Sequence, residues 1–310
     1  MTNTTVKAPK NLIEAVIYFA DKDRSFEFVK SLRWADGNVS CPRCGAGDPG
    51  FIATRRIWKC KGCKRQFSIK VGTIFEDSPL GFEKWLPAFW LIANSKNSIS
   101  SHELGRALNV TQRTAWFMLH RIRDAMEART IASLSGIVEV DETFVGGKAE
   151  NMHKRTRRQR VIGDRKAAVQ GARQRDGGIV QAKTLPYINK WQMQDNIQAW
   201  VTTGSTIYSD EATAYKDIDQ WYAHKTVNHG THQYVSGDVW TNGIENFWSI
   251  FKRSLKGTQV HVDKVHLQRY VTERTFAYNY RDETDLTRMS LAVSGVDGRR
   301  LTWKQLTTQG

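Results

Sequence analysis

The sequence predicts a mixed α/β protein: a core of short strands flanked by helices, preceded by a small metal-dependent module and a helical segment. Three observations predict it. Runs rich in β-branched and aromatic residues, the composition of short strands, cluster between residues 137 and 209. Apolar residues at helical spacing occupy 11–34, 80–125 and the chain from 242 onward. All 4 cysteines form two Cys-x-x-Cys pairs between positions 41 and 63.

Residues 1–37 read as an N-terminal helical segment. Leu12, Val16 and Phe19, then Phe26, Val29 and Leu32, recur at helical spacing and predict two short helices ending before Asp36-Gly37. Residues 38–72 read as a zinc ribbon. Cys41-Pro42-Arg43-Cys44 and Cys60-Lys61-Gly62-Cys63 put two thiolate pairs where two knuckles can close a tetrahedral site on one Zn²⁺. The other readings are two disulfides or unrelated thiols; disulfides are disfavoured without a secretion signal. Four cysteines fill the coordination of the ion, so the zinc is structural, and its binding supplies folding free energy that so small a module lacks. Arg55, Arg56, Lys59, Lys61, Lys64 and Arg65 surround Trp58 and Phe67, a basic face with aromatic support. That face suits DNA; a purely structural or protein-contacting ribbon is the alternative.

Residues 73–133 read as a helical domain with a helix-turn-helix. The stretch 80–94, with Trp85, Leu86, Phe89, Trp90 and Leu91, predicts a buried helix. Ser101 is a cap for a helix whose inner face is Leu104, Ala107 and Leu108. Asn109-Val110 form the turn, Thr111 caps the next helix, and Ala115, Leu119 and Ile122 continue the apolar stripe. Gln112, Arg113, Thr114 and Trp116 then lie at the N-terminal end of the second helix, the end that meets base edges in the major groove. Arg113 suits guanine and Gln112 adenine. His120, Arg121 and Arg123 are basic companions, with Arg121 counted among the DNA contacts. An ordinary helical hairpin has the same pattern.

Residues 134–285 read as the α/β core. Short strands and hairpins fill 137–209, with a glycine turn at Asp176-Gly177-Gly178. The segment 146–165 is polar, basic and without apolar periodicity, and is expected to have little order. Three acids stand out in this core. Asp141 follows the strand-like run Ile137-Val138-Glu139-Val140, and Asp210 stands just after Ser205-Thr206-Ile207-Tyr208. Glu245 lies in the helical run from Gly243 to Arg253. Carboxylates from two strand ends and a helix can converge on a pair of hard cations, Mg²⁺ or Mn²⁺, which prefer oxygen ligands. Two such ions support in-line displacement at phosphorus.

Singly, each acid has a plainer explanation. Asp141 suits a solvated strand end, Asp210 a cap for a helix beginning at Glu211-Ala212-Thr213, and Glu245 an exposed helix face. Glu142, Glu211 and Asn246 are adjacent alternatives, because successive side chains change face. Phe247, Trp248 and Phe251 would anchor the third acid's helix, while Lys252, Arg253 and Lys256 offer charge to phosphates. Residues 286–310 form a tail without a usable motif.

A formal net charge of +15 calls for a polyanionic partner. No apolar run approaches membrane-spanning length, and Met1-Thr2-Asn3-Thr4-Thr5 lacks a charged-then-apolar leader. A cytoplasmic protein with nucleic acid as its polyanion is the expectation.

Several stretches resemble the ISXO-two-like family of bacterial insertion-sequence transposases, a zinc-ribbon-bearing branch of the DDE transposases. They are Trp34-Ala35-Asp36-Gly37 leading into Cys41-Pro42-Arg43-Cys44-Gly45, then Gly72-Thr73-Ile74-Phe75, and Val138 through Lys148 with Asp141-Glu142-Thr143 at its centre. Further on come Tyr208-Ser209-Asp210-Glu211, Val227-Asn228-His229, Gly237-Asp238-Val239 and Asn242-Gly243-Ile244-Glu245-Asn246-Phe247-Trp248-Ser249. Lys252-Arg253 and His266-Leu267-Gln268-Arg269-Tyr270 also match, so the resemblance reaches to about Asp282.

The resemblance implies an RNase H-like catalytic core with Asp141, Asp210 and Glu245 as its acids, separated by 69 and 35 residues (141 to 210, 210 to 245). It also implies cutting at transposon ends and joining to target DNA, with terminal inverted repeats and target as double-stranded DNA partners. Synapsis of two ends implies a homodimer or larger assembly, at the nucleoid and not at a membrane. His229 falls in the family's Asn-His element. Two runs depart from the family pattern, Thr258-Gln259-Val260-His261 and Glu273-Arg274-Thr275-Phe276, and both bear on local packing. The readings from other classes are a domesticated DNA-binding regulator and a nuclease that keep this fold.

Overall fold

The computed structural model describes residues 7–127, 133–146, 166–210, 215, 217–227 and 240–308. The expectations for 147–165, for Glu211 and for Asn228 and His229 lie outside the described residues. The chain divides into two compact units, one from the described residues of Met1–Arg129 and Tyr280–Gly310, the other from those of Thr130–Asn279.

In the first unit, helices α1 (Leu12–Ala20) and α2 (Lys22–Arg33) stand where the apolar spacing puts them. Asn11 caps α1 by accepting from the Glu14 N–H, and Asp21 caps α2 by accepting from the N–H groups of Asp23 and Arg24. The ribbon is an antiparallel sheet of β1 (Gly50–Ile52), β2 (Ile57–Lys59) and β3 (Gln66–Ser68). Its core is aromatic: Trp58, 3% exposed, stacks on Phe67 and Phe26 with ring centroids 5.8 Å apart in each pair. Next come the buried α3 (Phe82–Asn94) and the pair α4 (Ser101–Leu108) and α5 (Gln112–Met126). Ser100, one residue before the predicted Ser101, caps α4; Asn109 turns the chain at φ 50°, and Thr111 caps α5.

The stretch after 286, expected as a tail, belongs to this unit. It completes α9 (Asp285–Ser294) and forms α10 (Trp303–Thr307). Asp297 pairs with the buried Arg33 at 3.0 Å, and the rings of Trp303 and Phe117 meet at 5.4 Å. Its helical spacing is short and broken, which hid it from a sequence reading.

The second unit is a five-stranded sheet, β4 (Ile137–Val145), β5 (Ala167–Gln174), β6 (Val180–Leu185), β7 (Thr206–Asp210) and β8 (Ala223–Val227), in the order β6-β5-β4-β7-β8. β5 is antiparallel to β4 and β6, whereas β7 is parallel to β4 and β8. Gly177 and Gly178, at φ 72° and 65°, turn β5 into β6. Helix α6 (Lys190–Trp200) covers one face through Met193 and Ile197, which pack with Val138, Val140 and Ile207. Helices α7 (Asn242–Ser254) and α8 (Leu267–Asn279) cover the other through Ile244, Phe247, Trp248, Phe251 and Val271. The edge strand β6 is closed by side chains: Asn279 both accepts from the Val180 N–H and donates to its carbonyl, and Gln268 accepts from the Thr184 N–H. A mixed sheet flanked by helices is the architecture that the RNase H-like expectation describes.

Candidate functional site

Side chains alternate across β4, so Val138 and Val140 enter the core beneath α6 while Glu139 and Asp141 face α7. The parallel register Glu139↔Tyr208 carries Asp141 and Asp210, each two residues further on, to the same side. Asp210 ends β7, whereas Asp141 lies in the middle of β4, which runs on to Val145, and not at the strand end expected from the sequence. One carboxylate oxygen from each of Asp141, Glu142 and Asp210 lies within 4.8 Å of the others. Glu245, exposed in the first turn of α7, is outside that 4.8 Å group, although its charge acts on Asp141. The structure thus brings together two of the acids singled out in the sequence, adds Glu142, and sets the third beside them.

Glycine permits the close approach. Asp141 pairs across the ladder with Gly171, and a Cβ there would come within 2.7 Å of the Trp248 ring, one turn along α7 from Glu245. Glu142 accepts a hydrogen bond from the Tyr215 hydroxyl. At the end of β7 the buried Ser209 donates to the Asp210 carbonyl at 2.8 Å, with His224 Nε2 at 2.9 Å from its Oγ. Tyr215 and His224 carry no sequence signal, because nothing local marks them as neighbours of an acid.

The electrostatics follow from crowding carboxylates in a half-buried site. Burial pushes the Asp141 carboxyl up to about 6, with the charges of Asp210 and Glu245 adding to it. Burial, then the charges of Asp141 and Asp210, push Glu142 up to about 8. Such a cluster concentrates negative charge. Its donors are all carboxylate oxygens, so the group that fits is a hard divalent cation such as Mg²⁺ or Mn²⁺.

In the ribbon, the Sγ atoms of Cys41 and Cys63 are 3.8 Å apart and those of Cys44 and Cys60 are 3.5 Å apart. Thiolates around one zinc ion at the usual bond length are separated by about 3.8 Å, so the quartet fits a structural Zn²⁺. The Cys63 N–H donates to Cys60 Sγ and leads the lowering of that thiol to about 6, which favours the metal-binding thiolate.

The residues expected to touch DNA divide. Gln112 and Arg113 are exposed at the start of α5, with the Arg113 guanidinium 4.3 Å from the Trp303 ring; Thr114 is half-buried in the first turn. Lys252 and Arg253 are exposed in the last turn of α7. Arg121 is a correction. It is 4% exposed and donates to the carbonyls of Leu301 at 3.0 Å, Ile74 at 2.7 Å and Glu76 at 3.0 Å, so it braces the interior of its unit. His120 and Arg123, its expected basic companions, are buried too. Among the described residues, no helix is long and apolar enough to cross a membrane.

Comparison with known proteins bears on both metal-type sites. The model of the ISXO2-like transposase domain matches residues 133–279, which hold all four acids, and that of the transposase zinc-ribbon domain matches residues 21–66, which hold all four cysteines. A protein in transposable element ISH50 of Halobacterium salinarum is 28% identical over 255 residues, 76% of this chain and 84% of that one. Among solved structures, a chain of the simian T-cell lymphotropic virus intasome in complex with PP2A regulatory subunit B56 gamma is 11% identical with a TM-score of 0.31, covering 57% of this chain and 64% of that chain. Nothing is drawn from so distant a likeness. This chain therefore carries an ISXO2-like transposase domain over residues 133–279 and a transposase zinc-ribbon domain over residues 21–66.

Proposed function

We propose that this protein is a DNA transposase that binds the terminal inverted repeats of an insertion sequence and catalyses metal-dependent cleavage and strand transfer. The observation that carries the reading is the convergence of Asp141 and Asp210, 69 residues apart in the chain, to within 4.8 Å of each other and of Glu142. Side chains that distant in sequence and alike in charge repel, and their assembly without a cation to bind is costly.

In this reading Asp141 and Asp210 hold Mg²⁺ or Mn²⁺, with Glu142 beside them and Glu245 reaching in from α7. When bound, two such ions activate a water or a 3′-hydroxyl and stabilise the departing oxygen at phosphorus. Tyr215 fixes Glu142, Ser209 fixes the end of β7, and the exposed Lys252 and Arg253 contact phosphates. The ribbon, folded on one Zn²⁺, and α5, through Gln112, Arg113 and Thr114, read the element ends. The working form is a dimer or larger assembly on paired ends and target DNA.

The test is an end-joining reaction with paired element-end DNA and Mg²⁺. Strand-transfer product is expected. Cleavage without joining would make the protein a nuclease, and binding without either would make it a regulator.

A further inference from the structure

Glu139 is 1% exposed, on the face of β4 that carries Asp141 and two residues before it. A buried carboxylate is costly unless it is paired and hydrogen-bonded. Its Oε1 lies 3.2 Å from Arg175 Nε and 3.7 Å from Arg173 Nη1, and its Oε2 accepts from the Ile244 backbone N–H at 2.9 Å. Ile244 is the third residue of α7, so its N–H is one that no helical carbonyl can satisfy and that a capping side chain ordinarily takes. Thr241, at the capping position, makes no side-chain cap; its hydroxyl donates instead to Glu245 Oε1 at 3.1 Å. The helix is therefore capped from a strand, and the local hydroxyl is left to hold the acid.

The surroundings are built for this exchange. A Cβ on Gly243 would come within 2.6 Å of Glu139 Oε2 and closer still to Arg173 Nη1, so any other residue there would push these side-chain ends away from the start of the helix. Arg175 donates to the Trp240 carbonyl at 2.9 Å, and its guanidinium lies 4.0 Å from the Trp240 ring and 4.8 Å from that of Tyr208. Tyr208 precedes Asp210 by two residues on β7. One buried ionic cluster thus touches the strand of Asp141, the strand of Asp210 and the start of the helix of Glu245.

We propose that Glu139 is a positioning residue for the metal-dependent reaction: it caps α7 from β4, sets that helix against the acid-bearing strands, and frees Thr241 to orient Glu245. The proposal rests on the transposase reading for its chemistry. The opposing account is an interior ion pair that only stabilises the unit.

Glu139→Gln in the full-length protein keeps the side chain's size and an acceptor oxygen while removing the charge. Amide exchange is expected to quicken at Ile244 and Glu245 while β4 stays protected. Mn²⁺ affinity, measured by calorimetry, is expected to fall roughly 10- to 100-fold, the usual effect of changing a group that orients a metal ligand. Thr241→Val removes only the hydroxyl and is expected to weaken Mn²⁺ binding without altering exchange at Ile244. Combining Glu139→Gln with Glu245→Gln should cost little Mn²⁺ affinity beyond Glu245→Gln alone. Unchanged Ile244 exchange and Mn²⁺ affinity in Glu139→Gln would overturn the proposal. So would a uniform rise in exchange across the unit combined with wild-type Mn²⁺ binding in Thr241→Val. If the wild-type protein neither binds Mn²⁺ nor cuts DNA, the transposase reading fails, while exchange at Ile244 still decides the cap.

Discussion

Asp141 and Glu142 are raised to about 6 and about 8 by burial and by their neighbours' charges, so a cation entering the site must displace protons. Apparent Mn²⁺ affinity should therefore climb as the pH rises through 6 to 8 and level off above, with proton release at pH 7 coming chiefly from Glu142. Calorimetry in buffers of different ionisation enthalpy reads that release; a pH-independent affinity would remove the two acids from the cation site. The same shifts set a stability trend. The metal-free folded state holds protons that the unfolded chain would give up, so these groups cost stability as the pH climbs from the ordinary carboxylate range to their raised values. On the proposed function, in which Asp141 is a cation ligand and not a DNA-reading side chain, Asp141→Asn should abolish end cleavage while leaving a gel shift of end DNA intact. Gly171→Ala should lower stability by about 1–3 kcal/mol, since the added methyl meets the Trp248 ring at 2.7 Å and the packed core yields poorly. Thermal melting checks it. Asp141 and Asp210 were legible in the sequence because each sits at the end of a strand-like run. Glu142 entered only as an adjacent alternative, because alternation alone cannot say which neighbour a cluster will recruit.

Elements differ in how much of themselves the sequence discloses. The Cys-x-x-Cys pairs announce the ribbon, since few other arrangements use four cysteines at that spacing. Cys60→Ser should collapse it, because the aromatic stack around Trp58 is too small to fold without the ion. Loss of bound zinc by elemental analysis, together with a red-shifted tryptophan emission, would register that collapse; an unaltered spectrum would argue for a metal-independent ribbon. The caps and turn of α4–α5 were also legible, to within one residue at Ser100. The face of α5 was not. Arg121 and Arg123 look like phosphate contacts by composition, yet both are interior, Arg121 because three backbone carbonyls of distant segments need a donor. Helix α7 carries the opposite lesson. Its apolar face is plain in the chain, whereas its cap comes from Glu139, a residue 105 positions away along the sequence.

At the scale of the molecule, the net charge of +15 predicts that DNA affinity falls steeply with salt, with a log–log slope near −0.9 for each phosphate contacted. Fluorescence anisotropy between low and physiological salt measures it, and a flat response would sink the account of phosphate contact. Charge and composition are sums, so the sequence by itself determined them, along with the local patterns: the knuckle spacing, the strand-like runs ahead of two acids, the helix periodicity. Only the tertiary structure decided which acids meet, which arginines are interior, and that the chain after 286 returns to the first unit. Those outcomes turn on register and close approach between segments far apart in sequence: Glu139 against Tyr208, Gly171 beneath Trp248, Gly243 beside Glu139. Local pattern carries no information about such contacts, because each depends on the space that the partner segment leaves open.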